Sequence, residues 1–278
     1  MTGVLPTVAQ AMHEARTLGI DRLDAQMVLG WILGRTRSWL VAHDDAALDR
    51  AQADAVRAAF ARRAAGEPLA YVIGRKEFHG LTLQVDRDVL VPRPDTEVLV
   101  DWALELLAGP LAVRLRPRVV DLGTGSGAIA LAVKQAHPAA ALVATDASAA
   151  ALGVAGANAA RLGLELAFAL GSWWAALPGE RFDLVLGNPP YIAEGDPHLP
   201  ALRHEPISAL TSGGDGLDAL REIIAGAGEH LEPGGWLLLE HGHDQAESVH
   251  GLLELHGFAE IATRRDLGGQ PRCTGGRR

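Results

Sequence analysis

Apolar positions in the first quarter of the chain recur at helical spacing. Asp21 and Asp24 open a segment in which Met27, Val28, Trp31 and Ile32 repeat before Gly34. A second segment runs from Leu48 to Ala65 and stops at Gly66, with Pro68 just beyond. No strand pattern interrupts residues 7–66, so the spacing predicts a small helical bundle with Trp31 and Trp39 in its core. From Lys76 the pattern shortens to KEFHG and LTLQVD around Gly80, which fits a β-hairpin. Beyond Pro92, helices at 95–108, 126–137, 148–162, 216–231 and 243–256 alternate with strands at 117–122, 141–145, 166–170, 182–187, 235–240 and 258–264. Such alternation implies a mostly parallel sheet covered on both faces. The expected divisions are a bundle at 1–75, a hairpin linker at 76–91 and an α/β domain at 92–278.

Composition narrows the setting. A chain of 278 residues allows one large domain or a large and a small one. Its longest apolar runs, such as WLLLE at 236–240, are far too short for a bilayer, and the N-terminus lacks a signal-peptide pattern. A cytoplasmic location and no membrane partner are expected. The single cysteine, Cys273, excludes an internal disulfide. Net charge is −9, without a long basic run, so direct nucleic-acid binding is not expected.

Strand 117–122 runs into DLGTGSGAIALAV, with glycines at 123, 125 and 127. Glycines in a strand-to-helix turn allow positive φ and close backbone approach to a ligand. The spacing is also used by dinucleotide enzymes, but Asp121 at the start of the turn would repel a pyrophosphate. A cofactor with an ammonium and no phosphate tolerates it better. About twenty residues on, Asp146 ends the next strand, where a carboxylate can accept both ribose hydroxyls of an adenosine. The pair points to S-adenosylmethionine; the alternative is that both acids merely cap turns. After strand 166–170, Trp173 and Trp174 offer indoles, with Trp173 the one expected on the cofactor.

Strand 182–187 ends in Asn188-Pro189-Pro190-Tyr191. Methyl transfer to an amide or aromatic amine must hold a planar nitrogen whose lone pair is delocalised. The Asn188 side-chain carbonyl and the Pro189 backbone carbonyl supply two acceptors, and consecutive prolines preorganise them. Tyr191 is expected to offer a flat face to the substrate. No side-chain base is needed, because the nitrogen's proton becomes acidic only after methylation. The quartet fits a nucleobase amine and a glutamine amide equally well.

Together with VLVPRPDTEVLVDWAL at 89–104 and LRHEPISALTSGGDGLDALREII at 202–224, these motifs resemble the PrmC/HemK family, the release factor glutamine methyltransferases, over nearly the whole chain. The resemblance implies a class I, Rossmann-like seven-stranded α/β methyltransferase domain, preceded by a small all-helical domain and a β-hairpin linker. It implies that Gly123, Thr124, Gly125, Ser126, Gly127, Asp146, Trp173 and Asn188, beside Asp121, contact the cofactor. Asn188, Pro189, Pro190 and Tyr191 would hold the substrate glutamine, with Asn188, Pro189 and Tyr191 catalytic. Arg93, Asp95 and Glu97 would border the pocket, unless the two acids only favour a helix N-terminus. The implied substrate is the Gly-Gly-Gln glutamine of class 1 peptide chain release factors, docked by the N-terminal bundle of a monomeric enzyme. The alternatives are a DNA or RNA adenine methyltransferase, and a non-catalytic cofactor-binding interaction protein.

Three other features are read as incidental. His241, His243 and Asp244 could suggest a metal, but methyl transfer needs none and surface histidines are expected. Gly213-Gly214-Asp215-Gly216 is read as a helix lead-in. Gly268-Gly269-Gln270 repeats the substrate tripeptide in an expected turn between strands and is read as coincidence.

Overall fold

The computed structural model describes residues 5–278, so the first four residues of the expected 1–75 bundle lie outside the described residues. The chain divides into two compact units at the Arg75/Lys76 junction. The first holds α1 (Val8–Thr17), α2 (Arg22–Leu33), α3 (Arg37–Ala42), α4 (Arg50–Ala64) and α5 (Leu69–Ile73). Polar caps set its helix starts. Thr7 and Asp49 each form a reciprocal box with the glutamine three residues on, and Asp21 Oδ1 accepts the Leu23 N–H at 2.7 Å. Gly34, at φ 63°, ends α2 in the left-handed conformation that glycine adopts without a Cβ penalty.

Val8, Val28, Leu29 and Phe60 anchor this unit's own core. Trp31 does not join it and is 40% exposed, contrary to the expectation from spacing. Helix α2 buries Ala25, Val28 and Leu29, and at 3.6 residues per turn Leu23, Met27 and Trp31 fall on the opposite face. Both faces carry apolar residues, and the alanine-bearing face packs closer. Trp39 is half-buried against the core and stacks on His43.

The second unit contains the hairpin β1 (Arg75–Phe78), all but its first residue, and β2 (Leu81–Gln84). There follow α6 (Glu97–Ala108), β3 (Arg118–Leu122), α7 (Ala128–Ala136), β4 (Ala141–Asp146), α8 (Ala149–Leu162), β5 (Ala167–Leu170) and β6 (Phe182–Gly187). The last elements are α9 (Asp218–His230), β7 (Leu231–Glu240), α10 (Ala246–Leu255), β8 (Ala259–Arg265) and β9 (Pro271–Arg277). The seven-stranded sheet has the order β5-β4-β3-β6-β7-β9-β8. Strands β5, β4, β3, β6 and β7 are parallel, and β9 runs antiparallel between β7 and β8. This is the class I methyltransferase arrangement.

Alternation along the central strands feeds two cores. Leu184, Leu186 and Leu238 pack with Leu99 and Val100 of α6 and Ile129 of α7, whereas Val185, Leu237 and Leu239 pack with Ile223 of α9 and Val249 of α10. Phe78, Leu81 and Leu83 of the hairpin belong to the first core. Helix α6 starts later than its periodicity suggests because Pro94–Thr96 takes a 3₁₀ turn. Strand β9 has no apolar run to mark it; a Cβ at its Gly275 would come within 2.5 Å of the Leu237 carbonyl oxygen.

Strand order reverses beside β3, and the crevice outside the carboxyl ends of β3 and β6 is where open α/β sheets take ligands. Leu122 is paired with Gly187, so the glycine turn and the Asn-Pro-Pro-Tyr turn leave the sheet side by side. Asn158 of α8 braces the first turn from below. Fully buried, it donates to the Ser126 and Gln84 carbonyls and accepts the Gln84 N–H.

Asp121 lies fully buried under the glycine turn. Its Oδ2 accepts from the Thr124 hydroxyl at 2.6 Å and from the Ala130 N–H at 3.3 Å in the first turn of α7, while Oδ1 has no partner. Burial pushes its pKa up to about 7, against the lowering by these two bonds. An acid whose folded pKa exceeds its unfolded one destabilises the fold increasingly as pH rises from about 4 to about 7. Asp121→Asn is therefore expected to gain Tm over the parent at pH 8 relative to pH 5. The differential should be at least about 3 °C, since one pKa unit is worth about 1.4 kcal/mol. Melting curves at the two pH values without ligand check this, and a pH-independent difference contradicts it.

Candidate active site

A cavity of about 400 Å³ opens at the carboxyl ends of β3, β4 and β6, within the range that holds small-molecule ligands. Its floor is the glycine turn. Gly125 sits at φ 55° with open space where a Cβ would be, and its N–H donates to Asp146 Oδ2 at 2.9 Å. The other Asp146 oxygen accepts the Ser148 N–H at 2.9 Å, so the carboxylate is fixed by two backbone bonds and keeps lone pairs for a ligand. It thus caps the approach to α8 as well as facing the cavity. A Cβ on Gly123 would meet the Trp173 ring at 3.1 Å. Trp173 itself holds φ 42°, an unusual conformation for a bulky residue and one that recurs at ligand sites. Trp174 turns the other way, stacking on His230 and donating to the Ile223 carbonyl at 3.0 Å.

Asn188 lines the opposite wall. Its Nδ2 donates to the Thr96 hydroxyl at 3.2 Å, and Oδ1 makes no hydrogen bond among the described residues. Behind Thr96 lies Glu240, 1% exposed, at the end of β7. Burial pushes its carboxyl up to about 7, and the nearby Thr96 hydroxyl, the Arg272 charge and the Tyr191 hydroxyl oppose that rise. Tyr191 donates to Glu240 Oε1 at 3.3 Å, while Glu240 Oε2 has no partner. The half-buried Tyr191 ring packs against the α9 core and is not among the residues that line the cavity. Burial and the neighbouring carboxylate push its phenol pKa well up, so it remains a donor.

The PRPDTE segment, residues 92–97, stitches this wall together. Arg93, at the cavity rim, pairs with Glu205 at 2.5 Å, and buried Glu205 also accepts the Val91 N–H at 3.0 Å. Asp95 lies 3.6 Å from Arg272, which also pairs with Asp266 at 3.0 Å. Glu97 turns away from the cavity and accepts the His79 N–H at 3.0 Å, fastening the hairpin to α6.

Of the residues singled out from sequence, Arg93, Gly123, Thr124, Gly125, Ser126, Asp146, Trp173, Asn188 and Pro190 line one cavity. Asp121, Gly127, Pro189, Tyr191 and Glu97 stand outside its wall. Gly127 serves packing, since a Cβ there would come 2.9 Å from Leu131. Thr96, Glu205 and Glu240 were not singled out. Thr96 sits between two acids that drew attention for their charge, and Glu240 reads as the polar end of an apolar strand.

His241 is fully buried rather than on the surface, because it closes the buried strand β7. Its Nε2 meets the Thr274 hydroxyl at 2.7 Å, and burial pushes its pKa down. His243 is exposed, and no metal-binding cluster of three ligands occurs among the described residues. Gly268-Gly269-Gln270 forms the exposed turn between β8 and β9.

Residues 96–215 match the family described as Methyltransferase small domain, and residues 7–74 match the PrmC N-terminal domain. The chain is 51% identical over 261 residues to the protein of Bordetella pertussis named release factor glutamine methyltransferase, covering 93% of this chain and 95% of that one. A Burkholderia pseudomallei protein of the same name is 46% identical over 286 residues, covering 100% and 99%. Among solved structures, the 16S rRNA N2 G1207 methyltransferase RsmC of T. thermophilus, in complex with AdoMet and guanosine, aligns with a TM-score of 0.55 at 21% identity, covering 73% of this chain and 49% of that one. The hMettl16 catalytic domain in complex with MAT2A 3'UTR hairpin 6 aligns at 0.57 and 17%, covering 78% and 81%. These two share the fold alone. Similarity over almost the full length of both chains, carried by both units, places this protein in the release factor glutamine methyltransferase family.

Proposed function

We propose that this protein, a cytoplasmic monomer, transfers a methyl group from S-adenosylmethionine to the side-chain amide nitrogen of the glutamine in the Gly-Gly-Gln motif of class 1 peptide chain release factors. The observation that carries the reading is full-length similarity to proteins named for that activity. No described helix is long and apolar enough to cross a membrane.

The cavity residues fit the cofactor. Gly123 and Gly125 leave its backbone floor open, Asp146 keeps acceptor capacity for ribose hydroxyls, and Trp173 brings an indole to the same wall. The unpaired Asp121 oxygen beneath the turn suits an ammonium reached directly or through water. When bound, S-adenosylmethionine supplies an electrophilic methyl group on a sulfonium.

The chain's own work is to hold the accepting nitrogen. Asn188 Oδ1, with its amide NH₂ committed to Thr96, is the acceptor for one N–H of the glutamine amide, and the Pro189 carbonyl is the acceptor for the other. Two fixed acceptors orient the nitrogen and strengthen as its N–H bonds polarise, with the proline pair keeping the loop from reorganising. Asn188→Ala is expected to lower kcat by roughly 10²–10³ with cofactor affinity changed far less, as for loss of one oxyanion-hole donor. Equal losses in both would make Asn188 a cofactor residue instead.

The direct test of the reaction is incubation with methyl-labelled cofactor and three acceptors: intact release factor, a Gly-Gly-Gln peptide and duplex DNA or RNA. Label is expected in the release factor and at the peptide's glutamine. Label in nucleic acid and in neither protein acceptor contradicts the proposal. Intact mass after incubation with cofactor alone should be unchanged, and a gain of one methyl would make Gln270 a self-substrate.

The helical unit is the docking element for the body of the release factor. Leu23, Met27 and Trp31 of α2 give it an exposed apolar stripe of the kind that marks protein interaction sites. Replacing Met27 and Trp31 with Asp and Ser should raise KM for intact release factor by about tenfold or more and leave KM for the peptide unchanged. An equal effect on both substrates, or on neither, would remove α2 from the docking surface.

A further inference from the structure

The glycine-rich run at 213–216 leads into α9, as its composition predicts, and it also lies against the exit of the Asn-Pro-Pro-Tyr turn. A Cβ on Gly216 would collide with the Tyr191 carbonyl oxygen, and the residue holds φ 75°, so only glycine brings this backbone so close. The same carbonyl accepts from Gln245 Nε2 at 3.0 Å. The other Nε2 proton reaches the Asp215 carbonyl at 3.4 Å, and Gln245 Oε1 accepts the Gly242 N–H at 2.8 Å. All three partners are backbone groups, two acceptors and one donor whose roles cannot change, so the amide has a single orientation. One side chain thus joins three segments: the exit of the Asn-Pro-Pro-Tyr turn, the glycine-rich run and the loop after β7.

We propose that Gln245 and Gly216 are positioning residues that fix the exit of the Asn-Pro-Pro-Tyr turn and thereby aim its two substrate acceptors. The inference rests on the reading that Asn188 Oδ1 and the Pro189 carbonyl hold the glutamine amide. The entry of the turn is set by the sheet, because Gly187 pairs with Leu122 on one side and Leu239 on the other. Proline fixes φ at 189 and 190, which leaves the direction of the Pro189 carbonyl to the ψ angles and to whatever holds residue 191. That hold is the bond from Gln245 to the Tyr191 carbonyl. It is continued by the Ile192 N–H on the Leu210 carbonyl at 2.9 Å and the Ser212 N–H on the Ile192 carbonyl at 3.0 Å. Neither Gln245 nor Gly216 lines the cavity, so each acts on substrate only through the turn.

The test compares Gln245→Glu, Gln245→Met, Gly216→Ala and Gly214→Ala in steady-state kinetics on a Gly-Gly-Gln peptide, with the cofactor dissociation constant measured for each. Gln245→Glu keeps the shape and the acceptor for Gly242 but sets a carboxylate oxygen against two carbonyls. Gln245→Met, of similar length, removes the bonds without that repulsion. The kcat of Gln245→Glu is expected to fall by about tenfold or more and that of Gln245→Met by less, since a misplacement of about 1 Å can cost about a hundredfold. A side chain that only packs would give the opposite order, because glutamate is the closer match in shape. Gly216→Ala should also lose about tenfold or more in kcat, whereas Gly214→Ala, with open space for its Cβ, should stay within about twofold of the parent. Cofactor affinity within about threefold of the parent's certifies that each variant is folded. Should Gly216→Ala not fold, the two Gln245 variants decide. Parental kcat in Gln245→Glu, a loss in Gln245→Met at least as large, or a parallel fall in cofactor affinity overturns the inference. Absence of peptide methylation by the parent enzyme would instead count against the proposed substrate, and crystal structures of the parent and Gln245→Glu then decide. A Pro189 carbonyl displaced by more than about 0.5 Å upholds the inference, and an unmoved one overturns it.

Discussion

The amide of an asparagine looks nearly the same from both ends, but chemically the ends are opposites, and the site depends on which one faces the cavity. Asn188 Nδ2 donates to the buried Thr96 hydroxyl, leaving Asn188 Oδ1 uncommitted. The surrounding fold serves that arrangement. Parallel pairing of β3 with β6 sets Gly187 beside Leu122, which brings the acceptor-bearing turn next to the glycine turn, and β7 beside β6 delivers Glu240 behind both. The charged residues of PRPDTE then tie the 3₁₀ turn to the hairpin, to β9 and to the 205 region.

Two buried carboxyl groups carry an energetic cost in this design. Asp121 and Glu240 each leave one oxygen unpaired, and burial raises both to about 7. A protein selected for stability alone would have amides or apolar groups there. Asp121 lies beneath the glycine turn that floors the cavity, and such a cost agrees with sites where local rules are broken for function, as does the positive φ of Trp173.

Much of this was legible in the chain and some was not, for physical reasons. The sheet strands announced themselves because burial on both faces demands continuous apolar runs such as FDLVLG, and the two turns because glycine and proline have few reasons to cluster at strand ends. Strand β9 was hidden because its contribution is backbone pairing, which PRCTGGR makes with small residues. Trp31 was misjudged because periodicity finds an apolar stripe without saying which of two stripes is buried. Thr96 and Glu240 lay within reach of the motifs but carried no local signal. Thr96 meets Asn188 across a separation of 92 residues, and Glu240 meets Tyr191 across 49, which only the folded chain displays. Tyr191 was located correctly at the turn, yet its ring direction was beyond any pattern.

The central claim is that Asn188 Oδ1, not Nδ2, meets the nitrogen that is methylated. Its most direct measurement is a crystal structure of the protein with S-adenosylhomocysteine and a Gly-Gly-Gln peptide. The account predicts the Asn188 carbonyl oxygen about 2.9 Å from the glutamine nitrogen, with Nδ2 still on the Thr96 hydroxyl. A glutamine amide bound without Asn188, or facing its Nδ2, would contradict it.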